Sequence, residues 1–106
     1  MTERQEKMNE LLRQLAANYI ETESNGTTLI SVTHVDVSPD MKQAHLYITV
    51  LPEDKEEFAL NFVKRRLKDM RISIRSKMST KVTPFFDVAL DMGEKNRQKI
   101  DRLLRE

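Results

Sequence analysis

Lys64, Lys68, Arg71 and Arg75 follow one another at spacings of four, three and four residues. On a helix turning about 100° per residue, such a spacing gathers all four cations within about 60° of arc. The row lies beside an apolar stripe of Ala59, Val63, Leu67, Met70, Ile74 and Met78, and Arg66, Lys77 and Lys81 flank the opposite edge of that stripe. Like charges at i,i+4 repel and gain no partner, so a helix meant only to be wet would alternate its signs instead. A row of this kind suits repeated anions supplied from outside, and phosphates of a nucleic acid fit best. The plainer reading is a solvated face whose long side chains lie over the core. A third reading is a protein-interaction module whose cationic face meets an acidic protein.

The whole chain sharpens the contrast. Its 106 residues carry 18 Lys and Arg against 17 Asp and Glu. Eight of the cations fall in Lys64–Lys81, opposed only by Asp69, for +7; the remainder holds ten basic and sixteen acidic residues, for −6. Average charge would predict no particular partner, whereas this distribution predicts an anionic one. The length suits a single domain, residues 1–106. No cysteine is present, which excludes disulfides, thiolate nucleophiles and thiolate metal sites. The N-terminus shows no signal peptide, and no apolar run reaches the ~20 residues of a membrane-spanning helix. A cytoplasmic protein without membrane contact is expected.

Catalysis finds little support. The only histidines, His34 and His45, sit on adjacent predicted strands where they could face one another, with Asp36 nearby. Neither belongs to an i,i+4 helical pair, and no carboxylate is spaced to complete a metal set. No enzyme, metal, cofactor or small-molecule substrate is expected.

The elements that must hold the cations follow from periodicity. Thr2 and Gln5 form a capping box, and Met8, Leu11, Leu12, Leu15 and Tyr19 recur at helical spacing, predicting a helix over 3–22 that "SNG" at 24–26 ends. "TTLISVTHVDVS" is β-branched and reads as a strand. Its apolar phase slips between Ile30, Val32 and Val35, Val37, which predicts a bulge or twist near Thr33 or His34. "SPDMKQ" is a turn in which Ser38 and Asp40 bond local backbone. "AHLYITVL" then alternates, with Ala44, Leu46, Ile48 and Val50 inward, and pairs antiparallel with the first strand. A helical stripe of Ala59, Val63, Leu67, Met70, Ile74 and Met78 runs behind acidic residues suited to a helix N-terminus. Phe86, Val88, Leu90 and Met92 alternate in a third strand ended by Gly93, and "EKNRQKIDRLLRE" predicts a short C-terminal helix burying Ile100, Leu103 and Leu104. Most aromatic residues fall in core phase. The sum is an α+β domain with three strands and helices on one face.

"LISVTHVDVSPDMKQAHLYITVL" resembles the central hairpin of the ribosome-binding factor A family, whose pattern is apolar-x-Ser/Thr-Val-Thr-x-Val-x-Val-Ser-x-Asp-Leu-x-x-Ala-x-Val-Tyr-Val-Ser. Met70-Arg71 resembles its Ile/Leu-Arg pair, Pro84 to Asp91 its Pro-x-Leu-x-Phe-x-x-Asp strand, and "IDRLL" its C-terminal helix. The resemblance implies a KH-like fold of type II order, α-β-β-α-α-β, and a non-enzymatic factor. Such a factor would bind the 30S ribosomal subunit and its 16S rRNA late in maturation, near the rRNA 5′ end, as a monomer. RNA-backbone contact is then expected from Lys64, Lys68, Arg71, Arg75, Lys77 and Lys81, with Arg4, Lys7 and Lys42 as additions. Family members break the long helix with Ala-x-Gly before the Ile-Arg pair, where this chain has Arg66, Leu67 and Lys68. The expected break is therefore weaker or displaced. A bend near Arg71 would bring Ile72, 180° round from Val63, out of water. The chain closes at Glu106 without an extended tail, and no function of such a tail is expected.

Overall fold

The computed structural model describes residues 2–24, 28–79 and 82–93. The first helix, α1, spans Glu3–Glu23, and its capping box is complete: the Thr2 hydroxyl accepts from the Gln5 N–H at 3.1 Å, and the Gln5 side chain accepts from the Thr2 N–H at 3.0 Å. Ser24 caps its C-terminus; Asn25 and Gly26 lie outside the described residues. Its buried face is Gln5, Asn9, Leu12, Ala16, Tyr19 and Ile20. The predicted stripe is thus rotated, and Leu11 lies in solvent.

Strands β1, Leu29–Val37, and β2, Gln43–Leu51, pair antiparallel. Their register shifts between Val32 and His34, so Thr33 is the extra residue that the phase slip demands. The bulge lets Val32, Val35 and Val37 all face the core. Thr33 fills the irregularity itself, its hydroxyl reaching the Tyr47 carbonyl at 3.2 Å and the Asp91 carboxylate at 2.5 Å. In the turn, Asp40 Oδ1 accepts from the Ser38 hydroxyl at 2.6 Å and the Lys42 N–H at 3.0 Å, which hold its carboxyl below the usual range. Met41 takes a left-handed φ of 61°, which costs a non-glycine residue about 1–2 kcal/mol and is fixed by its N–H bond to the Ser38 carbonyl.

On β2, Ala44, Leu46, Ile48 and Val50 are buried while His45, Tyr47 and Thr49 point the other way. The core therefore lies on one face of the sheet, covered by α1 against β1 and by the second helix, α2, mainly against β3. A 3-10 turn at Glu53–Lys55 leads into α2, Glu56–Lys77. Acidic residues at its start and Arg75 and Lys77 at its end complement the helix dipole. The helix runs without a break through Arg66, Leu67 and Lys68, all good helix formers. No bend rescues Ile72, which is 60% exposed. Ala59, Val63, Met70 and Ile74 are buried as the stripe predicts, with Leu67 and Met78 packed beside them.

Strand β3, Phe85–Leu90, pairs parallel with β2, giving the order β1-β2-β3. Val88 is buried, with Phe86 and Leu90 packed against the core. The strand ends at Leu90 and Gly93 is already helical, so Met92 lies past the strand and is exposed. The predicted C-terminal helix, with Ile100, Leu103 and Leu104, falls outside the described residues.

Candidate nucleic-acid interface

One continuous helix carries most of the described part of the basic segment, so the spacing of its cations becomes geometry. Lys64, Lys68 and Arg75 are exposed and form no ion pair among the described residues. Lys77 is exposed at the last turn, and Lys81 lies outside the described residues. At 1.5 Å per residue, Lys64 to Arg75 spans about 16 Å.

Arg71 differs from its neighbours. Its Nε donates to the Pro84 carbonyl at 3.2 Å and its Nη2 to the Thr83 carbonyl at 2.9 Å. The guanidinium carbon lies over the Phe85 ring, 3.9 Å from its centroid. This half-buried arginine ties α2 to the start of β3, yet no carboxylate among the described residues neutralises it, and its remaining N–H groups stay available. Arg66, on the opposite flank, is occupied otherwise: it stacks on Phe62 at 3.8 Å and approaches Glu23 at 3.8 Å. Asp69, the lone acid of the segment, accepts the Tyr19 hydroxyl and so faces α1 rather than the cation row. On a helical projection it stands roughly 100–160° from the four row positions.

Among the additions, Arg4 is exposed on α1, Lys7 pairs with Glu3 at 3.2 Å, and Lys42 is exposed at the hairpin tip.

Beside the row, α2 and β3 frame an open cleft of about 520 Å³ lined by Leu67, Lys68, Arg71, Ile72, Phe85 and Phe86. Sequence periodicity does not single out Phe85, which is 58% exposed. The signal lies in the alternation of β3, since Phe86 and Val88 claim the inward parity and leave Phe85 outside it.

The histidines do not face each other. The bulge sets His34 opposite Tyr47, ring centroids 5.7 Å apart, and His45 opposite Asp36. His45 instead meets Asp87 across β2 and β3, at 2.7 Å. No group of three metal-ligating side chains converges among the described residues.

A sequence model described as ribosome-binding factor A matches residues 4–104. The ribosome-binding factor A of Rhodopirellula baltica is 28% identical over 101 residues, covering 92% of this chain and 74% of that protein. That of Fusobacterium nucleatum is 32% identical over 85 residues, covering 74% and 71%. The crystal structure of ribosome-binding factor A from Thermus thermophilus shares the fold with a TM-score of 0.73 at 18% identity, over 81% of this chain and 93% of that one. A Thermus thermophilus homology model fitted into a cryo-EM map of a complex between the 30S subunit and ribosome-binding factor A gives a TM-score of 0.67 at 20% identity, over 76% and 88%.

Proposed function

This chain belongs to the ribosome-binding factor A family, and on that premise we propose that it is a non-enzymatic assembly factor of the small ribosomal subunit. It binds the 30S particle as a cytoplasmic monomer during late maturation, at the 16S rRNA near its 5′ end. The cationic row of α2 makes the contact: Lys64, Lys68 and Arg75 reach rRNA phosphates, Arg71 adds a fixed positive charge between them, and Lys77 and Lys81 assist at the helix end.

One observation carries this reading. The exposed cations stand on one face of a rigid helix without a counter-charge among the described residues, because Asp69 is engaged by Tyr19. Their mutual repulsion is relieved when phosphates displace bulk counterions. The 30S complex of the Thermus thermophilus relative supports the same reading with a partner.

The test is sedimentation of the purified protein with mature and immature small subunits at two salt concentrations. Four phosphate contacts predict a log–log salt slope of about −3. The triple variant Lys64→Glu, Lys68→Glu, Arg75→Glu is expected to leave the subunit fraction with its circular-dichroism spectrum and melting unchanged. Co-sedimentation retained by that variant overturns the assignment, and loss to an acidic protein competitor alone would indicate a protein partner instead.

A further inference from the structure

The sheet has a second face that no described element covers. Both helices pack against the inward residues of the strands, and the outward ones reach solvent. None of the chain's 18 Lys and Arg lies on β1, β2 or β3, whose only charged residues besides histidine are Asp36 and Asp87. A surface meant only for water intersperses charges of both signs. Here Asp36, His45 and Asp87 stand in register across the three strands, so two carboxylates about 10 Å apart flank one imidazole. Lys42 lies beyond the strand ends, at the hairpin tip beside Asp40.

We propose that this open face docks a protein partner through an extended segment rich in lysine and arginine. Its cations meet Asp36 and Asp87 and lie over Tyr47, and an apolar residue rests on Leu29 and Leu51 at the far end of the hairpin. The inference goes beyond the rRNA contact and does not depend on it. The cations of α2 stand on the helix side of the sheet, so RNA and a basic protein can be held at once.

Charge complementarity selects this occupant. Two carboxylates with no cation beside them on the strands repel phosphates and attract a basic chain. Asp87 engages His45 Nδ1 through one oxygen at 2.7 Å, yet its side chain remains 59% exposed and open to a guanidinium. Two residues further along the hairpin, the rings of His34 and Tyr47 lie 5.7 Å apart, tilted by 30°, and offer an aromatic surface on which a cation can rest. At the far end Leu29 and Leu51 oppose each other directly across the strands and are 62% and 57% exposed. Paired apolar side chains left in water next to a one-signed face mark a contact surface. A second copy of the chain fits less well. Its cationic row would meet this acidic face head to tail, and contacts of that kind build open chains rather than closed dimers.

The probe is a labelled peptide as long as the nine residues of β2, with leucine at one end and arginine alternating with serine in the rest. Its control carries citrulline in place of arginine. Binding to the full chain is read from the label and from the backbone amide resonances. The arginine peptide is expected to shift Asp36, His45, Tyr47 and Asp87 and to leave the cationic row of α2 unmoved, while the citrulline peptide shifts neither. Asp36→Asn with Asp87→Asn should weaken the arginine peptide about five-fold, the worth of two partly exposed ion pairs. Glu21→Gln with Glu57→Gln removes the same charge from exposed positions on the helices and should leave the affinity unchanged. Equal weakening by both pairs, equal binding of both peptides, or no binding of the arginine peptide overturns the proposal. Shifts of the sheet face on adding a short oligoadenylate would make it part of the RNA contact, and shifts on diluting the protein alone would mark a second copy; either result overturns it as well. Oligoadenylate shifts confined to α2, with no peptide bound on the sheet, would spare the RNA reading and remove this one.

Discussion

The hydroxyl of Tyr19 on α1 donates to the carboxylate of Asp69 on α2, and that bond both joins the helices and keeps the one acid of the basic segment away from its cations. Tyr19 is buried and Asp69 exposed, so the contact sits at the rim of the core. Tyr19→Phe should cost about 1–2 kcal/mol, the worth of a partly exposed hydrogen bond to a charged acceptor. The phenol ionises well above its ordinary range, through burial first and the Asp69 carboxylate second. A raised folded-state value means that this contribution is complete below the unfolded value of about 10 and is lost as pH rises towards the folded one. Melting measured from about pH 8 to pH 11 should therefore fall more steeply in the unaltered protein than in Tyr19→Phe. Parallel curves would show that the bond does not form.

Arg71 supports a separate prediction, because its role in the fold and its charge can be pulled apart. Arg71→Lys keeps the charge but loses the planar fork that spans the Thr83 and Pro84 carbonyls. The variant should lose about 1–2 kcal/mol of stability and keep the salt slope of RNA binding near that of the unaltered protein. Were stability unchanged, the guanidinium would be a surface cation like its neighbours on the row.

The contrast between these two residues shows what is legible in the sequence. Periodic features can be read directly: the capping box at Thr2 and Gln5, the clean alternation of β2, and the bulge at Thr33 that the phase change between Val32 and Val35 requires. Each depends on residues a few positions apart, where backbone geometry is decisive. Contacts that cross the fold cannot be read. Tyr19 meets Asp69 and Arg71 meets Pro84 only because α2 packs beside α1 and β3, a placement no local spacing encodes. The parallel pairing of β3 with β2 is equally hidden, since alternation reports burial and not direction. On α1 the apolar count misleads, because Gln5 and Asn9 occupy the core face that helical spacing extends to Leu11.

Asn9 is the more informative of those two buried polar residues. Its Oδ1 accepts the Val37 N–H at 2.9 Å, at the last residue of β1, while the Gln5 amide reaches the Val37 carbonyl only at 3.5 Å. Both side chains cap the polar backbone of an edge strand where the described sheet has no further neighbour. Asn9→Leu leaves a buried donor without its acceptor and should cost about 1–3 kcal/mol. Gln5→Leu should cost less, since its bond to the Val37 carbonyl is longer and the capping bond it also loses, from the Thr2 N–H, sits at the exposed start of α1 where water can replace it. Thermal melts of the two single variants check the order; a larger loss from Gln5→Leu would reverse the assignment.

Two isoleucines decide whether α2 is straight. Ile48 on β2 is fully buried, and Ile72 on α2 is 60% exposed because it lies opposite Val63 on an unbroken helix. Ile48→Ala removes packed methylene groups and leaves a cavity, at a cost of about 2–4 kcal/mol. At about 4–8 °C per kcal/mol for a domain near this size, the melting temperature should drop by some 10 °C or more. Ile72→Ala touches no core and should stay within about 0.5 kcal/mol. A helix that bent near Arg71, in the manner of one broken by Ala-x-Gly, would turn Ile72 inward and bring its cost up towards that of Ile48. Paired melts of the two alanine variants distinguish the geometries, and a near-neutral Ile72→Ala is the outcome the straight helix requires.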